Sequence, residues 1–159
     1  EIGNIQVRGP NVFSGYWRMP EKTREEFTPD GWFKTGDVGR TDANGYVAIV
    51  GRSKDLIISG GYNVYPKEIE SYLDDMAGVD ESAVFGIPDR DFGEAVTAVV
   101  VARKGATLDT GALLAELKAR IAGFKVPKTI HVVPELPRNQ MGKVQKNVLR
   151  EHYGKAIGD

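Results

Sequence analysis

Three segments of this 159-residue chain hold residue types that could act on an anionic substrate. In Trp32-Phe33-Lys34-Thr35-Gly36-Asp37 a carboxylate follows a glycine at the end of an aromatic-rich turn. A capped turn explains that arrangement as well as a ligand contact does. In Gly51-Arg52-Ser53-Lys54-Asp55, followed by Ser59-Gly60-Gly61-Tyr62-Asn63, the guanidinium could grip oxygens bidentately, and the glycines would let a ligand approach the backbone. A surface arginine beside a glycine turn is the plainer reading. The third segment, Pro137-Arg138-Asn139-Gln140-Met141-Gly142-Lys143, presents one lysine from a polar loop, and an ammonium is a mobile point charge suited to phosphate. It is not a Walker loop, because position 137 is not glycine and Val144 replaces the Ser or Thr that would meet magnesium. By itself it also reads as a solvated loop.

The elements that must position these segments follow from periodicity and punctuation. Before Arg52, Ile2 to Val7 alternates apolar and polar residues, Pro20 to Phe27 reads as a short helix, and Tyr46 to Val50 reads as a strand entered through Ala43-Asn44-Gly45. Glycine and proline interrupt this part so often that a complete core is not expected within it. After Arg52 the pattern is α+β. Leu56 to Ile58 and Tyr62 to Tyr65 read as strands, and Pro66 opens a helix in which Ile69, Tyr72, Leu73 and Met76 share a face. Strands follow at Ser82 to Ile87 and Ala95 to Arg103. A helix from about Asp109 to Ala122 turns Leu113, Leu114, Leu117 and Ile121 inward and stops at Gly123. Thr129 to Val133 is a further strand, and Val144 to Tyr153 a basic amphipathic helix.

Composition excludes several function classes. With 21 basic and 22 acidic residues the formal net charge is −1, so the chain lacks both the overall basic footprint of a nucleic-acid binder and an acidic tail. The balance is local, because nine Lys and Arg from Lys118 onward face only Glu135, Glu151 and Asp159. That end could meet phosphates. There is no cysteine, hence no disulfide framework and no thiol nucleophile. The apolar run Ala95 to Ala102 is too short to span a bilayer. A soluble, cytoplasmic location is expected. Glu1 opens directly into a strand-like pattern, which suggests a piece of something longer.

Taken in order, the segments resemble the adenylate-forming family of acyl-CoA and aryl-CoA synthetases, firefly-type luciferases and peptide-synthetase adenylation domains. The resemblance covers nearly the whole chain. It runs through Glu1-Ile2-Gly3, the "GYxxxPExT" pattern at Gly15 to Thr23, "TGD" at Thr35 to Asp37, "GRxxD" at Gly51 to Asp55, "YPxEIE" at Tyr65 to Glu70 and "PxxxxGK" at Pro137 to Lys143. It implies that residues 1–52 end a larger, β-rich amino-terminal adenylation domain. Residues 53–159 would then form a mobile α+β lid, a few-stranded sheet packed by helices. It further implies that Asp37 holds the ribose hydroxyls of ATP, that Arg52 reaches the nucleotide and that Lys54 is the hinge. The Ser59-Gly60-Gly61 loop, with Asn63 beside it, would border the path of the CoA pantetheine. Lys143 would be the catalytic lysine bridging acyl carboxylate and nucleotide. Lys146 and Lys34 depart from the arginines that many members carry, which keeps the charge and removes the bidentate geometry.

The reaction so implied is two-step: a carboxylate attacks the α-phosphorus of ATP, releasing pyrophosphate, and CoA then displaces AMP. Magnesium would be bound mainly by the amino-terminal domain, as would the acyl group, so the fragment alone is not expected to be an enzyme; no metal site is assigned within it. The run Gly15 to Asp37 resembles malonyl-CoA synthetases most, pointing to malonate or methylmalonate. Alternatives are a domain that loads a carrier protein in place of CoA, a luciferase-like oxygenase, and a docking module whose Lys143 is modified by a lysine acetyltransferase and restored by a deacetylase.

Overall fold

The alternation in Ile2–Val7 becomes β1, and Phe33–Thr41 and Val47–Arg52 become β2 and β3, giving an antiparallel sheet in the order β1-β2-β3. Pro20 starts helix α1, Pro20–Glu26, whose cap is Phe27. This is a computed structural model; it describes residues 1–155 and divides into two compact units, Glu1–Lys54 and Asp55 onward. The first unit has a thin interior. Val38 is its one buried hydrophobic residue, supplemented by Phe13 packed edge-on against Tyr16, Phe27 and Phe33.

One expectation needs correction here. The segment ending in Asp37 is a strand, not a loop, and β3 runs on through Gly51 and Arg52, because β2 pairs Val38 with Gly51 and Asp37 with Arg52. The strand expected at Tyr46 starts one residue later, since Tyr46 closes the turn by donating its N–H to Asp42 Oδ1 at 2.9 Å.

The second unit is a five-stranded mixed sheet with helices on both faces. Ile57–Ser59 (β4) and Tyr62–Val64 (β5) form a hairpin across Gly60 and Gly61, whose φ values of 57° and 81° suit a turn that L side chains resist. Val79–Asp89 (β6) pairs antiparallel with Gly93–Ala102 (β7), and Thr129–Val133 (β8) lies parallel to β7. On β7, Val96, Ala98 and Val100 face one core, with Ile69, Leu73, Leu113 and Leu117, while Ala95, Val99 and Val101 face the other, with Phe85, Leu136 and Leu149. A strand covered on both sides has no polar face. That is why Ala95 to Ala102 is apolar but for Thr97, which is itself buried.

Helices α2 (Pro66–Asp74) and α3 (Thr110–Arg120) cover the first face, and α4 (Lys146–Gly154) the second. Asp109 caps α3 by accepting from the N–H groups of Gly111 and Ala112. This helix ends earlier than its apolar spacing suggested. Ile121 is already extended, and Gly123 begins a short 3-10 turn, Gly123–Lys125. α4 starts at Lys146 in place of Val144, because Val144 is used in a β-bridge to Arg138.

Candidate functional site

Lys143 sits on a closed hairpin and not on a slack loop. The bridge between Arg138 and Val144 closes its base, and the N–H of Gln145 donates to the carbonyl of Pro137 at 2.8 Å. Inside, Asn139 does most of the holding. Its N–H donates to the Lys143 carbonyl at 2.9 Å, and its Oδ1 accepts from the N–H groups of Met141 at 3.0 Å and Lys143 at 2.9 Å. Gly142, at φ 77°, supplies the left-handed residue that the turn requires. Arg138 donates to the Gly142 carbonyl at 2.8 Å and pairs with Glu81 on β6. The Lys143 side chain leaves this framework beside its closed base, next to the Arg138–Val144 bridge, and is exposed.

The basic carboxyl-terminal stretch is otherwise largely neutralised. Of its nine cations, Arg120, Lys125, Lys128, Arg138, Lys146 and Arg150 are paired with Glu116, Glu68, Asp89, Glu81, Glu70 and Asp55. Lys118, Lys143 and Lys155 make no ion pair among the described residues. So the expectation of a broadly phosphate-facing end becomes a narrower one. In the Lys146–Glu70 pair, at 2.6 Å, Glu70 is buried and Lys146 partly so, and Glu70 also accepts from the N–H of Val84 at 2.9 Å.

The Ser59-Gly60 turn borders a pocket of about 230 Å³, walled by Tyr62, Phe92 and Phe124 and edged by Lys128. Tyr62 and Phe124 stack at 4.6 Å between ring centroids, and Lys128 lies over Phe92 at 3.8 Å. Lys128 also pairs with Asp89 at 2.9 Å; that hydrogen bond, with another from the N–H of Phe92, holds the Asp89 carboxyl below the usual carboxylate range. A flat aromatic wall of this kind can take a planar ring. Gly61 and Asn63 adjoin this turn, and a side chain at Gly61 would meet open space.

In the first unit, Asp37 and Arg52 are direct cross-strand partners, joined at 2.8 Å between Arg52 Nε and Asp37 Oδ1. The structure therefore brings these two together, as it does Ser59 with Gly60 at the pocket. Lys143 is not part of that pocket's lining. Lys54 closes the first unit within a 3-10 turn, Ser53–Asp55, anchored by the Ser53 hydroxyl donating to Asn4 Oδ1 at 2.8 Å. Among the described residues there is no group of three or more His, Cys, Asp or Glu placed to hold a metal ion.

Sequence reasoning missed Phe92, Phe124 and Lys128 at the pocket, and Glu81, Arg138 and Asn139 around the lysine. Phe124 stands between glycine and lysine, a signal for an exposed aromatic near cations. Asn139, three residues before a glycine, is a turn-forming signal.

The chain is similar to known proteins over nearly its whole length. Residues 68–143 match the AMP-binding enzyme C-terminal domain. The chain is 53% identical over 149 residues to a propanoyl:CoA ligase of Rhodococcus jostii whose acyl group bears a methyl-dioxo-octahydroindenyl ring system; the match covers 94% of this chain and 29% of that protein. It is 47% identical to a feruloyl-CoA synthase of an Amycolatopsis species, over 97% of this chain and 31% of that one. The crystal structure of ATP-bound MatB from Rhodopseudomonas palustris superposes with a TM-score of 0.91 at 62% identity, covering 98% of this chain and 31% of that one. The chain thus spans under a third of the length of these relatives. It carries the AMP-binding enzyme C-terminal domain and belongs to the adenylate-forming family that contains the acyl-CoA ligases.

Proposed function

We propose that the chain is the carboxyl-terminal portion of an AMP-forming acid–thiol ligase that activates a small carboxylic acid with ATP and passes the acyl group to CoA. The observation that carries this reading is Lys143, a cation without an ion-pair partner among the described residues, on a hairpin that fixes its backbone. Adenylation brings two anions together, the acyl carboxylate and the α-phosphate. An ammonium between them offsets that repulsion as negative charge moves from the carboxylate to the oxygens of the pentacoordinate phosphoryl group and the departing pyrophosphate, and losing such a preorganised partner costs roughly 100- to 1000-fold in rate. Asp37 accepts the ribose hydroxyls, with Arg52 keeping its carboxylate oriented. Magnesium, when bound with ATP, screens the phosphates.

The thioester step requires a thiol to reach the same adenylate. The pocket beside Ser59 and Gly60 supports CoA as the thiol carrier, since Tyr62, Phe92 and Phe124 offer stacking faces. A turn about Lys54 would exchange the Lys143 hairpin for the Ser59-Gly60-Gly61 loop between steps. Among acids, malonate and methylmalonate are favoured by the likeness of residues 15–37 to malonyl-CoA synthetases. The exposed Lys143 is also accessible to a lysine acetyltransferase, which would remove the charge.

The test is product analysis of the full-length ligase with ATP, CoA and a panel of malonate, methylmalonate, acetate and ferulate. The expected result is AMP, pyrophosphate and malonyl- or methylmalonyl-CoA, with the other acids poorer. Thioester formation only on a carrier protein, or none with any acid, would overturn the reading.

A further inference from the structure

The hairpin that carries Lys143 has more built into it than a turn needs. Both backbone polar groups of Lys143 are bound by one residue: Asn139 N–H donates to its carbonyl and Asn139 Oδ1 accepts from its N–H. The same Oδ1 also accepts from Met141 N–H. Asn139 therefore fixes where the lysine leaves the backbone, while the ammonium keeps its freedom.

A second contact ties the hairpin to the sheet. Arg138 reaches the Gly142 carbonyl with one guanidinium nitrogen and Glu81 with the other. Glu81 is available only because β6 is irregular. Val79 pairs with Ala102 and Glu81 with Val101, so Asp80 is an extra residue and the side-chain alternation slips there. Val79 faces the core under α2, in step with Val84, although it lies two positions from Glu81. Glu81 is in step with Ala83 and Phe85, which face the α4 side. Without the bulge, Val79 and Glu81 would share a face. The irregularity lets an acidic side chain meet Arg138 without displacing Val79 from the core.

We propose that Asn139, Arg138 and Glu81 are positioning residues for adenylation, acting through Lys143 by holding the hairpin from which its ammonium is presented. The proposal rests on the adenylation reading given above. None of the three touches substrate in this scheme; each acts by limiting where the lysine can go. A misplacement of about 1 Å at a reacting group can cost roughly 100-fold in rate.

The test uses the full-length ligase, with adenylation followed by ATP–pyrophosphate exchange and thioester formation followed from preformed acyl-adenylate and CoA. Asn139→Ala is expected to lower the adenylation kcat roughly 10- to 100-fold, with a smaller change in KM for ATP and thioester formation retained. Asn139→Asp, which keeps an acceptor at the same place, should recover most of that loss. Glu81→Gln should show the same selective loss at a few-fold. Lys143→Ala is measured alongside. If Lys143→Ala collapses adenylation while Asn139→Ala and Glu81→Gln stay within about twofold of the parent, the positioning proposal is wrong and the adenylation reading stands. If Lys143→Ala leaves adenylation intact, the reading itself fails. An Asn139→Ala enzyme that loses both half-reactions, with no selective loss in Glu81→Gln, would make these residues structural and overturn the proposal.

Discussion

A lysine can sit between two anions only if its charge is not already taken. Most cations of the last forty residues are taken, and among the described residues Lys143 is one of the exceptions. Gly61 is a second residue whose type matters for a physical reason. At φ 81° it occupies backbone space that other residues enter at a cost of roughly 1–2 kcal/mol, although a Cβ there would touch nothing. Gly61→Leu should therefore fold with a modest penalty and obstruct the thiol's approach with its side chain. We expect loss of thioester formation from preformed acyl-adenylate, with ATP–pyrophosphate exchange largely kept. Equal loss of both would indicate a folding defect. Lys143 and Gly61 are singled out in the sequence by the motifs that carry the family resemblance. Asn139 is not, since its work is hydrogen bonding within a turn, which any polar loop sequence can suggest.

At the scale of elements, α4 is docked by apolar contact and by charge. Leu149 is buried in the core on its face of the sheet, and Tyr153 stacks on His131 at 4.4 Å. Burial, with a smaller contribution from His152, lowers the pKa of His131. Near the start of the helix, Lys146 meets Glu70 in a site with little water. Removing one member strands the other. Lys146→Ala should cost about 3 kcal/mol, read by denaturant unfolding, while Lys146→Met combined with Glu70→Gln should cost clearly less, because no lone charge stays behind. A single substitution within about 0.5 kcal/mol of the parent would show the pair to be incidental. Helices and strands with clean periodicity, such as α2 and β1, were readable in advance. β2 was not: its two glycines and central Asp37 obscure alternation, and it is a strand because β1 and β3 pair on either side. The starts and stops of α3 and α4 moved for similar reasons, one losing its last turn to an extended Ile121 and the other yielding Val144 to a bridge.

For the molecule as a whole, the second unit has two apolar cores around one sheet, and the first has one buried hydrophobic residue on a three-stranded sheet. Glycine and proline density forewarned of that thin interior, whereas the aromatic pocket depended on residues more than sixty positions apart in sequence, Tyr62 and Phe124, which no local pattern links. The division of the proposed chemistry is also a property of the whole enzyme, since Asp37 and Arg52 lie in one unit and Lys143 in the other. The most direct measurement compares the two half-reactions of full-length Lys143→Ala with those of the parent. Acid, ATP and CoA are supplied in one assay, and preformed acyl-adenylate with CoA in the other. We expect the first to fall roughly 100-fold or more and the second to survive, as required of a cation that acts only while the anhydride bond forms. Near-parent synthesis from ATP would show that Lys143 does not carry the adenylation chemistry, and loss of both steps together would contradict the division of labour between the hairpin and the glycine loop.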